Sequence, residues 1–394
     1  MLSRSGRTAI LVCAFVAALA ARPASAETTP CDLGRALQRA SESVVRVEGR
    51  LPLADTPMRM GGRDTMCVNT GFFVSEDGLV LTGLSGIVAC KEILVTGADG
   101  RRGAAEVVAV DQAAGLAALR TPLRETVPLE FAERFPEPAT IVVLASAPTD
   151  EGRTPHIEPG LIASREGSVR LQGYTWKNVL VAALKVPTGA AAAPLLDADG
   201  RLVAVVLAVR PAERVAGWVR GPDECFALPA GEVHSILARL RRGQSRRLGW
   251  LGLSILQEAG ELEGVRVSGV LENSPAHEAG VRPGDVLLQI DEQPIESAEA
   301  FAHYVAELGP REGVRLRLLR GGEMDSVTVD VAARPLLICA GSRRGRDGKM
   351  VLRWPGSPEG VQKDVRQLIE ENRGLRQRVR QLEERLAERE AGGS

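Results

Sequence analysis

The chain of 394 residues carries 49 lysines and arginines against 50 aspartates and glutamates, a formal net charge of −1. That balance excludes a general polyanion partner such as nucleic acid. The basic runs Arg239–Arg247 and Arg343–Arg346 read as solvated linker charge. The length suits two domains, each able to bury its own core, plus an extension.

The first residues predict a secretory signal. Arg4 and Arg7 give a basic start, Ala9–Ala20 is almost wholly apolar, and Ala24-Ser25-Ala26 is a small-x-small cleavage site. Residues 1–26 are therefore expected to be removed, leaving a periplasmic or secreted protein that starts near Glu27. The apolar run is too short to span a bilayer comfortably, and no later stretch predicts a membrane span. Export permits disulfides. The mature chain keeps Cys31, Cys67, Cys90, Cys225 and Cys339, an odd set, so at least one is unpaired or bonds another chain. Cys67 and Cys90 bracket a glycine-punctuated hairpin and are the candidate pair; the remaining connectivity stays open.

A helix is expected over Asp32–Ser43. Short apolar, partly β-branched runs follow at Val44–Val47, Phe72–Ser75, Leu79–Thr82, Ile93–Thr96, Val107–Val110, Ile141–Ala145, Val179–Ala183 and Leu202–Val209. Asp-Gly punctuation at 77–78, 99–100 and 199–200 separates many of them, which predicts a barrel or sandwich. A helix over Gly231–Arg242 closes this unit. From Leu248 strands and turns alternate around two helices. Ser274–Ala279 has Pro275 in its first turn, and Ser297–Leu308 has Ser297 as N-cap and Gly309 beyond its end. Residues 336–360, rich in glycine, proline and arginine, predict a linker.

From Val361 the apolar residues recur every three and four positions. Val365, Asn372, Val379 and Leu386 occupy a, while Val361, Leu368, Leu375 and Leu382 occupy d. Valine at a with leucine at d, and one asparagine at a, predicts a parallel two-stranded coiled coil over 361–390. A solvated single helix is the plainer reading, and Gly374 costs such a helix about 1 kcal/mol relative to alanine.

The motifs carry a family resemblance. Asn69-Thr70-Gly71-Phe72-Phe73-Val74-Ser75-Glu76-Asp77-Gly78-Leu79-Val80-Leu81-Thr82 resembles the HtrA/DegP opening G-S-G-F-I-I-S-x-D-G-Y-I-L-T. The family's next residues are N-N-H-V-V, where His is the general base; here they are Gly83-Leu84-Ser85-Gly86-Ile87. The orienting Asp of D-L-A falls on Gly115, and the nucleophile of G-N-S-G-G-P-L falls on Ala191 in Gly189-Ala190-Ala191-Ala192-Ala193-Pro194-Leu195. Asp199-Gly200-Arg201-Leu202-Val203 and Phe226-Ala227-Leu228-Pro229 are similar to D-G-x-V-I and F-A-I-P. The flanks match in order and spacing while all three catalytic positions are changed. Among His156, His234, His277 and His303 none sits in a hydrolytic motif, and no metal-ligand spacing or phosphate loop is present.

Ser274-Pro275-Ala276-His277-Glu278-Ala279-Gly280-Val281-Arg282-Pro283-Gly284-Asp285-Val286-Leu287 resembles the PDZ string S-P-A-x-x-A-G-L-x-x-G-D-x-I; Asp291-Glu292 stands where N-G is usual. The resemblance implies a mostly β chain. Its expected order is a chymotrypsin-like double β-barrel over 27–245 with its triad lost, an α+β PDZ domain over 246–335, and the coiled coil. It implies peptide capture by Trp250, Leu251 and Gly252, then Leu253, Ser254 and Ile255, with Phe301, Tyr304 and Val305 on the facing helix. Phe301 and Val305 could equally close the domain's own core. Backbone amides at Gly189 and Ala191 are the expected remnant of an oxyanion pocket.

The function these readings imply is a pseudoprotease. It needs no cofactor or metal, binds peptide or unfolded segments of exported proteins, and assembles as a parallel dimer through its tail or a trimer through its barrel domain. An active serine endopeptidase with misassigned residues, and a scaffold with a closed groove, are the competing expectations.

Overall fold

The computed structural model describes residues 30–50, 66–88, 90, 92–147, 154–187, 189–215, 218–256, 264–335, 342–344 and 350–352. The expected signal segment and coiled coil lie outside them. Helix α1 (Pro30–Ser43) leads into β1 (Val44–Arg50), β2 (Met66–Phe73), β3 (Leu79–Gly83), β4 (Glu92–Thr96), β5 (Arg102–Ala104), β6 (Glu106–Asp111) and β7 (Leu116–Arg120). These strands form one sheet in the order β5-β4-β1-β2-β3-β7-β6.

Strand periodicity explains how this sheet is held. Val45, Val47, Val80, Ala117 and Leu119 point into a core of its own. The intervening Val44, Leu79, Leu81, Leu116 and Ala118 point the other way, into a larger core shared with the next unit. β3 is buried along its whole length, so both faces of alternation are apolar and no polar stripe marks it.

The second unit closes as a barrel in the order β10-β15-β12-β11-β8-β9. Its strands are β8 (Ile141–Ser146), β9 (His156–Leu171), β10 (Tyr174–Leu184), β11 (Pro194–Leu196), β12 (Leu202–Arg210) and β15 (Asp223–Pro229), with a small ribbon of β13 (Glu213–Val215) and β14 (Trp218–Arg220). Its core contains Val142, Leu144, Ile162, Leu180, Leu195 and Val206. Helix α2 (Ala230–Arg241) packs Val233, Ile236, Leu237 and Leu240, at spacings of three and four, into the shared core.

The third unit has the sheet order β16-β22-β21-β19-β18-β17, with β20 (Gln293–Pro294) beside β19. The strands are β16 (Gly249–Trp250), β17 (Leu253–Leu256), β18 (Val265–Val270), β19 (Val286–Ile290), β21 (Arg311–Arg320) and β22 (Glu323–Ala333). The helices are α3 (Pro275–Glu278) and α4 (Ala298–Leu308). Both expected caps are present: Ser274 Oγ accepts from His277 N, and Ser297 Oγ accepts from Ala300 N at 3.0 Å. Asp291, where a turn glycine is usual, takes the left-handed conformation at φ 49°. An aspartate adopts it more readily than most side chains do. The expected linker departs from a plain connection: β23 (Ser342–Arg344) and β24 (Met350–Leu352) pair as a ribbon.

Candidate functional site

Three separate turns converge where the two β units meet. Ser85 sits in a single 3-10 turn, Leu84–Gly86, that follows directly from β3. Gly115 ends the turn between β6 and β7, and Ala191 lies in the loop before β11. Leu84 N donates to Gly115 O at 2.8 Å, which ties the first two turns together. The third abuts them, since a Cβ added to Gly83 would lie 3.2 Å from Ala191 O and 3.4 Å from Ala191 Cβ. Ser85 and Ala191 are exposed, and Gly115 is half-buried.

Gly115 has φ +63°, a conformation that L side chains rarely adopt, and only Leu171 Cδ2 lies near the place its Cβ would take. The carboxylate of the same turn, Asp111, is fully buried and committed elsewhere. It accepts from Ala114 N at 3.0 Å and from the Arg239 guanidinium at 2.8 Å. It has no role at Ser85.

The loop before β11 is pinned by β2. Thr70 N and Thr70 Oγ1 both donate to Gly189 O at 3.1 Å, and Thr70 Oγ1 accepts from Ala147 N at 3.1 Å. Gly189 has φ +84° and Ala192 φ +60°. A left-handed alanine is strained by about 1 kcal/mol, and Ala192 is held there by burial and by its N–H bond to Val206 O. Among the described residues the N–H groups of Gly189 and Ala191 have no hydrogen-bond partner.

One residue of this site escaped sequence reasoning. Asn69 is buried with its Nδ2 unpartnered among the described residues, and its side chain occupies the space beside Gly86. A Cβ on Gly86 would overlap the Asn69 amide. The family pattern has a small residue at the first position and valine at the second, so the bulk has changed sides. The signal was present only as two departures from one motif, far apart in sequence.

Cys90 stands near Ser85 but does not replace the missing hydrolytic nucleophile. Burial first, and then the neighbouring Cys67, push its thiol up to about 11, so it is protonated at neutral pH. Both cysteines are thiols in the structure. The four histidines lie apart from the site. His156 and His234 are exposed, His277 Nδ1 accepts from Asn273 N, and His303 Nδ1 accepts from Thr175 N at 3.2 Å.

The second site expected from sequence is the groove of the third unit. β17 lies at a sheet edge, paired on one side only with β18. Leu251 O and Gly252 O accept from Ala276 N and Leu271 N at 3.0 and 2.9 Å. The N–H groups of Leu251 and Gly252 have no partner among the described residues. Gly252 needs its hydrogen: φ is +78°, and a Cβ would overlap Ser274. Trp250, Leu253, Ser254 and Ile255 are half-buried. On α4 the expectation divides. Phe301 and Val305 are buried in the unit's own core. Tyr304 is half-buried and packs against the same core, while Glu299 and His303 bond the barrel.

The trypsin-like peptidase domain family matches residues 69–205, and the PDZ domain family matches residues 246–331. The probable periplasmic serine endoprotease DegP-like of Halomonas elongata is 26% identical over 279 residues, covering 68% of this chain and 57% of that protein. Its counterpart in Hahella chejuensis is 23% identical over 291 residues, covering 71% and 60%. The chain thus spans less than two thirds of the length of these relatives. Among solved structures, the HtrA-type protease AlgW with decapeptide aligns with TM-score 0.55 at 23% identity, covering 77% of this chain and 98% of that one. The serine endoprotease from Yersinia pestis aligns with TM-score 0.55 at 22% identity, covering 79% and 99%. These likenesses establish the fold.

Proposed function

We propose that this chain, a trypsin-like peptidase domain joined to a PDZ domain and related to DegP-like proteins, is an exported peptide-binding protein that does not hydrolyse its ligands. The observation that carries this reading is the convergence of Ser85, Gly115 and Ala191 in one place. Serine hydrolysis needs a hydroxyl nucleophile, an imidazole to carry its proton, and a carboxylate to orient the ring. A methyl at 191 attacks nothing, a serine hydroxyl at 85 is no base near neutral pH, and Gly115 has no side chain to orient anything. Removing the nucleophile alone costs a serine protease about a millionfold in turnover.

Peptide binding is assigned to the PDZ edge. An extended peptide adds a strand beside β17, and its terminal carboxylate meets the amides of Leu251 and Gly252, which have no partner among the described residues. Charge-assisted hydrogen bonds favour the free acid over a neutral end. The ligands are C-terminal or unfolded segments of other exported proteins, and the periplasmic naming of the relatives supports that compartment. Self-association belongs to residues 361–390, with the barrel domain as a second surface for a trimer.

The purified mature chain is tested with casein and with C-terminal peptides, and with a serine-directed fluorophosphonate. No cleavage and no labelling are expected. Labelling at one defined residue with turnover would make the chain a serine endopeptidase instead. Peptide titrations read the groove: the acid form should bind more tightly than the amide, whereas equal curves would mean a closed groove and a scaffold.

A further inference from the structure

We propose that Cys67 and Cys90 are a disulfide site, a covalent tie between the start of β2 and the segment that follows the Ser85 turn. Three geometric observations point to it. Cys67 lies directly opposite Gly49 in the antiparallel pairing of β1 and β2, so side chains at 49 and 67 share one face, with Cβ positions about 4.5–5.5 Å apart. A Cβ on Gly49 would overlap Cys90 Sγ, and Cys90 Cβ lies 3.1 Å from that position. The glycine thus leaves a hole on Cys67's face, and the Cys90 sulfur fills it. Cys90 Sγ donates to Gly86 O at 3.6 Å, which holds that sulfur in place, and Cys67 lies near enough to raise the Cys90 thiol. Bonding requires the sulfurs to close to about 2.05 Å, with the two Cβ atoms roughly 3.5–4.5 Å apart.

Cys225 differs: it is fully buried in the barrel core, where no described cysteine stands beside it. Cys67 and Cys90 are only half-buried, so an exchange partner can reach them. The oxidant is a disulfide, either of a small-molecule thiol such as glutathione or of an exported oxidoreductase. The Cys67 thiolate attacks one sulfur of that disulfide and expels the first thiol, leaving a mixed disulfide on Cys67. Cys90 then gives up its proton, its sulfur attacks Cys67 Sγ, and the second thiol leaves. Two protein thiols are oxidised by two electrons, and the donor disulfide is reduced to two thiols.

The tie would close one wall of the converged turns, because Cys90 N also donates to Ile87 O at 3.1 Å within the segment leaving Ser85. Its physiological formation rests on the export reading, so the test is made in vitro, where location plays no part. The full mature chain is equilibrated with oxidised and reduced glutathione, alkylated without reduction, and mapped by peptide mass. The expected result is one linked peptide pair holding Cys67 and Cys90, lighter by two hydrogens, with loss of alkylation at both positions until reductant is added. Cys67→Ala should leave Cys90 alkylated under the same oxidising buffer, and Cys90→Ala should leave Cys67 alkylated. Alkylation of both residues in the oxidised wild-type chain would overturn the proposal. A link from either residue to Cys31 or Cys339 would do the same. Should Cys67→Ala fail to fold, the wild-type map and the Cys90→Ala chain still decide.

Discussion

At the scale of single residues, a serine restored at 191 would still face a hydroxyl at 85 and a bare backbone at 115. Ala191→Ser alone should therefore give no turnover above the wild-type background on casein; measurable hydrolysis would mean that another group serves as base. The exchange of bulk between Asn69 and Gly86 gives a second prediction at this scale. Valine at 86 must push against a buried amide, and overpacking of this kind costs about 1–3 kcal/mol. Asn69→Gly opens the space and removes a buried donor that has no partner among the described residues. The double variant Asn69→Gly/Gly86→Val should therefore be more stable than the sum of the singles, with a coupling of about 1–2 kcal/mol in denaturant unfolding. Additive effects would show that the two side chains do not share the space.

At the scale of elements, β19 and β21 are joined by an ion pair next to the turn that opens β19. Arg320 meets Asp285 with Nε on Oδ1 at 2.9 Å and Nη2 on Oδ2 at 2.8 Å, and Arg282 N donates to the same carboxylate. Burial would raise the Asp285 carboxyl, but the Arg320 guanidinium outweighs it and holds the group below the usual carboxylate range. A carboxyl lowered on folding stabilises the fold above its unfolded value of about 3.9 and loses that contribution as pH falls through its folded value. PDZ stability should thus decline below about pH 4. Arg320→Met should cost about 3 kcal/mol near neutral pH, because it leaves a buried carboxylate unpaired, and should flatten the acid decline. A thermal unfolding series against pH checks both. The same scale shows what the chain made legible. Strands rich in valine, isoleucine and phenylalanine fall where their composition puts them, and the caps at Ser274 and Ser297 hold. β7 was hidden, because Leu116-Ala117-Ala118-Leu119 has little intrinsic strand preference and is extended by pairing with β3 and β6 on its two sides. β9 was hidden too: glycine, proline and charge interrupt it, and much of it is exposed. Glycine turns around Ser85, Gly115 and Ala191 keep the spacing by which the sequence lines them up, whereas the Asn69–Gly86 contact exists only once the strands are folded.

At the scale of the whole molecule, one buried side chain that no motif marked bonds the barrel to both ends of the PDZ unit. Gln112 lies in the same turn as Gly115. Its Oε1 accepts from Leu248 N at 2.8 Å and its Nε2 donates to Arg334 O at 2.8 Å, so it bonds the chain where it enters the PDZ sheet and where it leaves. Its own N–H donates to Arg246 O at 2.9 Å. Around it, Trp176 Nε1 donates to Ala113 O at 2.8 Å, and the Arg246 guanidinium lies 4.6 Å from the Tyr174 ring centre. On the other side Tyr174 meets the His303 ring of α4, with centroids 4.9 Å apart. Gln112→Leu keeps the volume but leaves Leu248 N–H and Arg334 C=O unpaired in a buried seam. Each such group costs about 1–3 kcal/mol, and the cheapest relief is for the seam to open and admit water. The cost therefore falls on the docking of the two units, where Leu248 and Ala306 also join the larger core. The expected result is faster hydrogen exchange at Leu248 and faster tryptic cutting after Arg246 and Arg247. Exchange at core amides such as Leu81 and Leu316 should stay unchanged. If the variant instead exchanges uniformly faster, Gln112 supports the fold as a whole. Unaltered exchange and cutting throughout would mean that the other contacts, the Tyr174–His303 rings and the Thr175 bonds to His303 and Glu299 among them, hold the PDZ unit in place.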